Sequence, residues 1–96
     1  MNQLTVVANI VAHQDKTELV KNALFKLIDE TRKEPGCIRY ELHQDVDNLS
    51  HFIMYEQWKT TQLWSEHTQT EHIKTYSAAV EGAIAHFTIN KLTLIK

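Results

Sequence analysis

The sequence predicts an α+β domain of split βαβ topology, and three observations carry the prediction. Strand-type and helix-type periodicities follow one another in the order β, α, β, β, α, β, with a break in the second helical region. The first helix has clear boundary residues, and the first strand is apolar on both of its alternating faces. That order is the one found in ferredoxin-like domains.

Leu4 to Ala12 reads LTVVANIVA: Val6, Ala8, Ile10 and Ala12 share one face, Val7 and Val11 the other, with Asn9 as the polar interruption beside them. A strand apolar on both faces has to be covered on both. Asp15 and Glu18 form a capping pair, after which Leu19, Val20, Ala23, Leu24, Leu27 and Ile28 recur at helical spacing to about Thr31. Pro35-Gly36 then turns the chain, since proline cannot continue a helix and glycine tolerates positive φ. From Cys37 to Gln44, Ile38, Tyr40 and Leu42 alternate with Arg39, Glu41 and His43, a strand with one drier face. Asp45-Val46-Asp47-Asn48 supplies turn residues before a third strand, Ser50 to Trp58.

Thr60 or Thr61 caps a short helix carrying Leu63 and Trp64 that stops near His67-Thr68. Thr70 opens another, with Ile73, Tyr76, Val80, Ala83 and Ile84 on one stripe. Phe87 to Ile95 alternates as the final strand. Helices on one face of four strands leave the other face bare, and the doubly apolar first strand requires a cover there. A second copy of the same sheet gives a dimeric α+β barrel, hence a homodimer.

The 96 residues form a single domain, 1–96, with Lys+Arg 10, Asp+Glu 12 and a formal charge of −2. At 43% hydrophobic residues, with 2 Gly and 1 Pro, the chain is too apolar and too unbroken for disorder. Its charge lacks the basic footprint of a nucleic-acid binder, and its apolar runs are too short for a membrane span. The start Met1-Asn2-Gln3-Leu4 has no signal-peptide pattern and Cys37 stands alone, which together suit a cytoplasmic protein.

Candidate chemistry concentrates between Glu56 and Tyr76, which holds both tryptophans and two of the six histidines. A helix break near Thr68 to Thr70 lets His67, ending one helix, and His72, in the first turn of the next, converge on one pocket. His72 and Tyr76 share a helical face. With Trp58, Trp64 and the carboxamide of Asn9, these groups suit a cavity that stacks an aromatic ring and exchanges a proton with it. Trp58 and Trp64 also read as packing residues, and His67 as an imidazole at a helix C-terminus. A carboxamide buried in a central strand needs a partner, so Asn9 is a candidate for orienting a ligand. His67 and His72 do not have the spacing of a recognised metal motif, Cys37 has no partner base in the sequence, and there is no glycine-rich phosphate loop. No metal and no nucleotide cofactor are therefore expected.

The blocks Glu34-Pro35-Gly36-Cys37-Ile38-Arg39-Tyr40-Glu41-Leu42, Glu56-Gln57-Trp58, and Leu63-Trp64-Ser65-Glu66-His67 through Tyr76 resemble the antibiotic biosynthesis monooxygenase (ABM) domain family, most closely its bacterial quinol monooxygenase-like branch. The resemblance covers nearly the whole chain. It implies a dimeric barrel with one pocket per subunit, oxidising a small aromatic phenol or hydroquinone with O2 and without metal, flavin or haem. Carried onto this sequence, it implies His67 and His72 as base and anion partner, Asn9 as an orienting group, and Trp58, Trp64 and Tyr76 as pocket-shaping residues. A haem-degrading branch uses an Asn, a Trp and an iron-binding His; Asn9 fits, but His67 and Ser77 fall at the other two positions. A further branch acts on the phosphorylated autoinducer-2 signal, so an isomerase or degrading enzyme for such a signal is an alternative. A non-catalytic dimeric ligand-binding or stress-response module is another.

Overall fold

A computed structural model describes residues 3–96. Four strands and three helices follow the expected order: β1 (Leu4–Ala12), α1 (Thr17–Thr31), β2 (Cys37–Gln44), β3 (His51–Trp58), α2 (Thr61–His67), α3 (Glu71–Ala79) and β4 (Ile84–Leu92). The strands form one antiparallel sheet in the order β2-β3-β1-β4, with all helices on one face, which is the ferredoxin-like α+β fold. Among the described residues no helix is long and apolar enough to cross a membrane.

The core follows from strand alternation. In β1 and β3 every second residue is buried, so Val6, Ala8 and Ile10 lie beside Phe52, Met54 and Trp58 under the helices. Val20 and Leu24 of α1 close over them with no exposed surface. The opposite alternates, including Val7, Asn9, Val11, Ile53 and Tyr55, are only half-buried.

Four local expectations are corrected. Asp15 does not cap α1; it lies in a single 3-10 turn, Gln14–Lys16, and the entry is fixed by Thr17, whose Oγ1 donates to Gln14 O and lies 2.6 Å from Ser50 Oγ. Gly36 does not have positive φ; its role is close approach, because a Cβ there would stand 2.5 Å from Leu63 Cβ. The α3 stripe ends early: Val80 caps the helix, and Gly82 at φ 77° reverses the chain into β4. Val80 and Ala83 still reach the core, but from this turn. β4 accordingly begins at Ile84 and stops at Leu92, which pairs with Thr5 near the start of β1, so residues 93–96 lie beyond the ladder.

Candidate active site

Between the sheet and the helices lies a cavity of about 340 Å³, a size suited to a small organic molecule. Its walls are mainly apolar, and Tyr40, Glu56, His67 and Tyr76 bring titratable groups to it.

His67 is the last residue of α2, and Thr60 and Thr70 set its place. Thr60 Oγ1 accepts from Leu63 N–H at 3.1 Å to start α2. Thr70 Oγ1 donates to His67 O at 2.9 Å and accepts from Ile73 N–H to start α3, tying the two helices together at the break. The third member of the cluster, Glu34, comes from the turn after α1. Glu34 N–H donates to Thr31 O, Cys37 N–H donates to Glu34 O, and the Arg32 guanidinium donates twice to Tyr40 O, at 2.8 and 3.1 Å, pinning the turn to β2.

A single carboxylate oxygen, Glu34 Oε2, accepts from His67 Nδ1–H at 2.7 Å and from His72 Nε2–H at 2.6 Å. A carboxylate oxygen only accepts, so these bonds fix both tautomers. His67 therefore carries its proton on Nδ1 and keeps the Nε2 lone pair for the cavity that it lines. Burial lowers the imidazole below its ordinary value of 6.5, against the pull of the Glu34 bond and carboxylate, and the His72 ring adds to the lowering. His67 is thus a neutral, oriented base at neutral pH.

Trp58 stands behind this base. It is fully buried, its ring centroid lies 4.6 Å from that of His67, and Tyr40 meets both rings edge-on at 6.3 and 5.5 Å. The indole Nε1–H donates to Glu56 Oε1 at 2.9 Å. Burial pushes the Glu56 carboxyl up to about 7, partly offset by the indole bond, with the Glu34 charge adding a smaller push. Burial likewise raises Tyr76 to about 12 and Tyr40 well above the usual phenol value, so both phenols stay protonated. The Cys37 thiol is raised to about 11 by burial and by Glu34 and Glu56, which disfavours a thiolate nucleophile.

His67, Trp64 and Tyr76 line the cavity as the sequence reading grouped them, and Trp58 supports it from behind. Lys91 Nζ lies 5.3 Å from the Trp64 ring centroid. His72 joins the cluster through Glu34 and through its ring, whose centroid lies 6.1 Å from that of His67, but it lines a second cavity on the outer side, with Lys26, Glu30 and Glu71. Asn9 does not join these groups. Ala8 and Ile10 line the cavity, so alternation turns Asn9 to the opposite sheet face, where its Oδ1 accepts from His51 Nε2–H at 2.9 Å.

Glu34, Glu56 and Tyr40 were not singled out by the sequence. Glu56 left a signal: it occupies an inward position in the row Phe52, Met54, Glu56, Trp58, where a charged residue breaks the apolar alternation. Glu34 left none, since its contacts lie 33 and 38 residues away along the chain.

The ligand atoms of Glu34, His67 and His72 lie within 4.8 Å of one another, the set among the described residues nearest to a metal site. A tetrahedral zinc ion bound at ~2.1 Å would hold its ligands about 3.4 Å apart. The two nitrogen-to-oxygen distances of 2.6 and 2.7 Å are instead those of charge-assisted hydrogen bonds.

The fold and this site define a class: small α+β domains that hold an apolar cavity against a buried, carboxylate-oriented histidine. Residues 3–79 match the family model described as antibiotic biosynthesis monooxygenase, and the chain belongs to that family. It is 31% identical to the Probable quinol monooxygenase YgiN of Escherichia coli K12, over 93% of this chain and 95% of that protein. It is also similar to the crystal structure of PA3566 from Pseudomonas aeruginosa, with a TM-score of 0.95, 31% identity, and coverage of 100% and 97% of the two chains. Human N-terminal EF-hand calcium-binding protein 1 shares 29% identity over 66% of this chain; the matched region is only 18% of that longer protein.

Proposed function

We propose that this protein is a cofactor-independent monooxygenase that oxidises a small phenol or hydroquinone with O2. The observation that carries the reading is the His67–Glu34 pair: a buried imidazole with Nδ1–H committed to a carboxylate and Nε2 free to face an apolar cavity. Such a base takes a phenolic proton without adding net charge to the closed complex, because phenolate and imidazolium form together. The electron-rich phenolate is itself the reductant. One electron passes to O2, and the caged radical pair then follows one of two routes. A second electron and proton give quinone and H2O2, or recombination places one oxygen atom in the product while the other leaves as water. Trp64 and Tyr76 hold the ring, and the apolar walls exclude water. His72 acts through Glu34, holding the carboxylate that orients His67, and Asn9 has no direct role at the reacting atoms. The working form is a homodimer joined through the open sheet face.

Oxygen uptake with a panel of hydroquinones, menadiol included and corrected for autoxidation, tests the reading. Saturable uptake by the wild type that falls at least a hundredfold in His67→Ala, and less in His72→Ala, is the expected result. Uptake equal to buffer for every hydroquinone overturns it. Turnover of a phosphorylated sugar-like signal without O2 would then indicate the isomerase, and saturable aromatic binding without turnover the ligand-binding module.

A further inference from the structure

The cavity holds a second group able to move a proton, and it lies on a different strand from the base. Glu56 projects from the middle of the sheet, paired across to Tyr40 on β2 and to Val6 on β1, and only 4% of it is exposed. It lines the same cavity as His67. Trp58 links the two, since its ring packs on the His67 imidazole while its Nε1–H donates to Glu56 Oε1. That bond anchors one carboxyl oxygen. Among the described residues the other oxygen, Oε2, makes no hydrogen bond, and it is not sealed in: the one fully buried side-chain atom without a partner is Thr31 Oγ1, so Oε2 has access to the cavity that Glu56 lines.

A carboxyl with one anchored oxygen and one free oxygen in an apolar cavity is poorly solvated as an anion. It is better accommodated as the acid, with its O–H available to a ligand. Among the described residues Glu56 makes no salt bridge; a methionine or leucine there would avoid the desolvation cost but leave the buried Trp58 Nε1–H without its acceptor, and that acceptor role uses only one of the two carboxyl oxygens.

We infer that Glu56 is a second catalytic residue, a general acid that delivers a proton to reduced dioxygen while His67 takes one from the substrate. The inference rests on the oxidase or oxygenase reading above. For a hydroquinone, His67 Nε2 takes the first hydroxyl proton, and two electrons pass in succession to O2. The dioxygen gains one proton from the second hydroxyl and one from Glu56, leaving as H2O2. At that point the enzyme holds an imidazolium at His67 and a carboxylate at Glu56. Return of the proton from the one to the other restores both groups, and the sum is hydroquinone plus O2 giving quinone plus H2O2. Where the radicals recombine instead, the substrate peroxide takes back the His67 proton to become a hydroperoxide. Its outer oxygen then takes the Glu56 proton and leaves as water while the C–H pair at the oxygenated carbon forms the new C=O. The proton released there returns to Glu56, so both groups are restored and the sum is substrate plus O2 giving the ring carbonyl product plus water. The acid matters because it makes electron transfer to O2 irreversible: protonated peroxide does not return electrons as readily as the bare anion.

Glu56→Gln isolates this role, because the amide oxygen still accepts from Trp58 Nε1–H and the volume is unchanged, but the side chain has no transferable proton. Expected are a kcat lowered about a hundredfold, a KM within about twofold of wild type, and superoxide released in place of peroxide. Titratable neighbours of Glu56 are Tyr40, His67, Tyr76, the Cys37 thiol, which is raised to about 11, and the more distant Glu34. Burial lowers His67 below its ordinary 6.5 and raises both phenols. The alkaline limb of the wild-type kcat profile therefore belongs to Glu56 and is expected to be absent from the variant. Full activity of Glu56→Gln, with His67→Ala inactive, overturns the inference and leaves the proposed function standing. A wild type with no hydroquinone-dependent O2 uptake overturns both. Should Glu56→Gln fail to fold, carbon-13 NMR of glutamate-labelled wild type decides: one carboxyl titrating near neutrality and displaced by bound quinone supports the acid, whereas all glutamates titrating in the ordinary range overturn it.

Discussion

One carboxylate oxygen orients both histidines of the site, so removing it should affect catalysis more than stability. In Glu34→Gln the amide oxygen can still accept from both rings, because both bonds meet on one oxygen, but the negative charge that assists them is lost. The imidazolium that forms at His67 then has no counter-charge. We expect kcat to fall about tenfold to a hundredfold, and the acidic limb of the pH–rate profile to move lower still, because the Glu34 bond and charge hold the His67 value up against burial. Steady-state oxygen uptake between pH 5 and 8 measures both effects. Glu56 has its own signature in folding. Its folded-state value of about 7 lies above the ordinary 4.5, so the folded protein binds the proton more tightly than the unfolded chain. Its stabilising contribution is complete below 4.5 and is lost as pH rises through 7, a change of about 3 kcal/mol by pH 8. Burial of His67 acts in the opposite direction, withdrawing stability as pH falls through the ordinary imidazole value. Urea unfolding of wild type and Glu56→Gln at pH 5 and pH 8 separates the two, and the variant should gain relative to wild type at the higher pH. At this scale the sequence exposed only part of the site. His67 was legible because it sits at a helix break, and Trp64 and Tyr76 because they flank it. Glu34 was not, because its role is a contact between segments more than thirty residues apart. Asn9 was grouped with the pocket although its own strand face, shared with Val7 and Val11, pointed away from it.

Among the elements, those bounded by side-chain chemistry were read best. The caps open both short helices, Thr60 of the two threonines offered for α2 and Thr70 for α3, and the β2 range matches because Pro35-Gly36 and Asp45 bracket it. Where a boundary depends on tertiary fit, periodicity misled. A bulge between Cys37 and Arg39 takes Ile38 out of the β2 alternation and leaves it 43% exposed, so Cys37 and Tyr40 become the inward residues. Similarly, Val80 and Ala83 continue a helical stripe in sequence but fill the core from a turn. Gly36 is the most sensitive of these boundary positions. A Cβ there meets Leu63 Cβ at 2.5 Å and Cδ1 at 2.9 Å, and Leu63 cannot withdraw without moving the first turn of α2. Gly36→Ala should cost about 1 to 3 kcal/mol, visible as a lower thermal midpoint. It should also lower kcat, since α2 carries His67 at its other end. An unchanged melting curve would show that the α2 contact has room to relax.

For the molecule as a whole, thickness is the telling dimension. Its shortest extent is 17 Å, one sheet with one layer of helices, whereas a closed domain core usually has apolar material on both sides of such a sheet. The open face places Val7 and Val11 of β1 beside Ile53 and Tyr55 of β3, with Asn9 and His51 hydrogen-bonded among them. These side chains are half-buried by their own neighbours, and among the described residues no layer lies above them. The fold order and this doubly apolar first strand were both legible in the sequence, and the same physical reasoning that predicts the fold predicts its partner: a second copy laid sheet to sheet covers identical faces at once. A homodimer of that kind should tolerate little charge at its centre. Val7→Lys places an ammonium in the middle of β1 on the open face, away from the catalytic cavity, where two-fold symmetry would bring a second lysine near the first. Wild-type protein is expected to sediment at twice the chain mass at micromolar concentration, and Val7→Lys at the chain mass with its circular dichroism unchanged. A wild type that sediments as a monomer would overturn the dimer while leaving the chemistry at His67 intact, because every group of that site comes from a single chain.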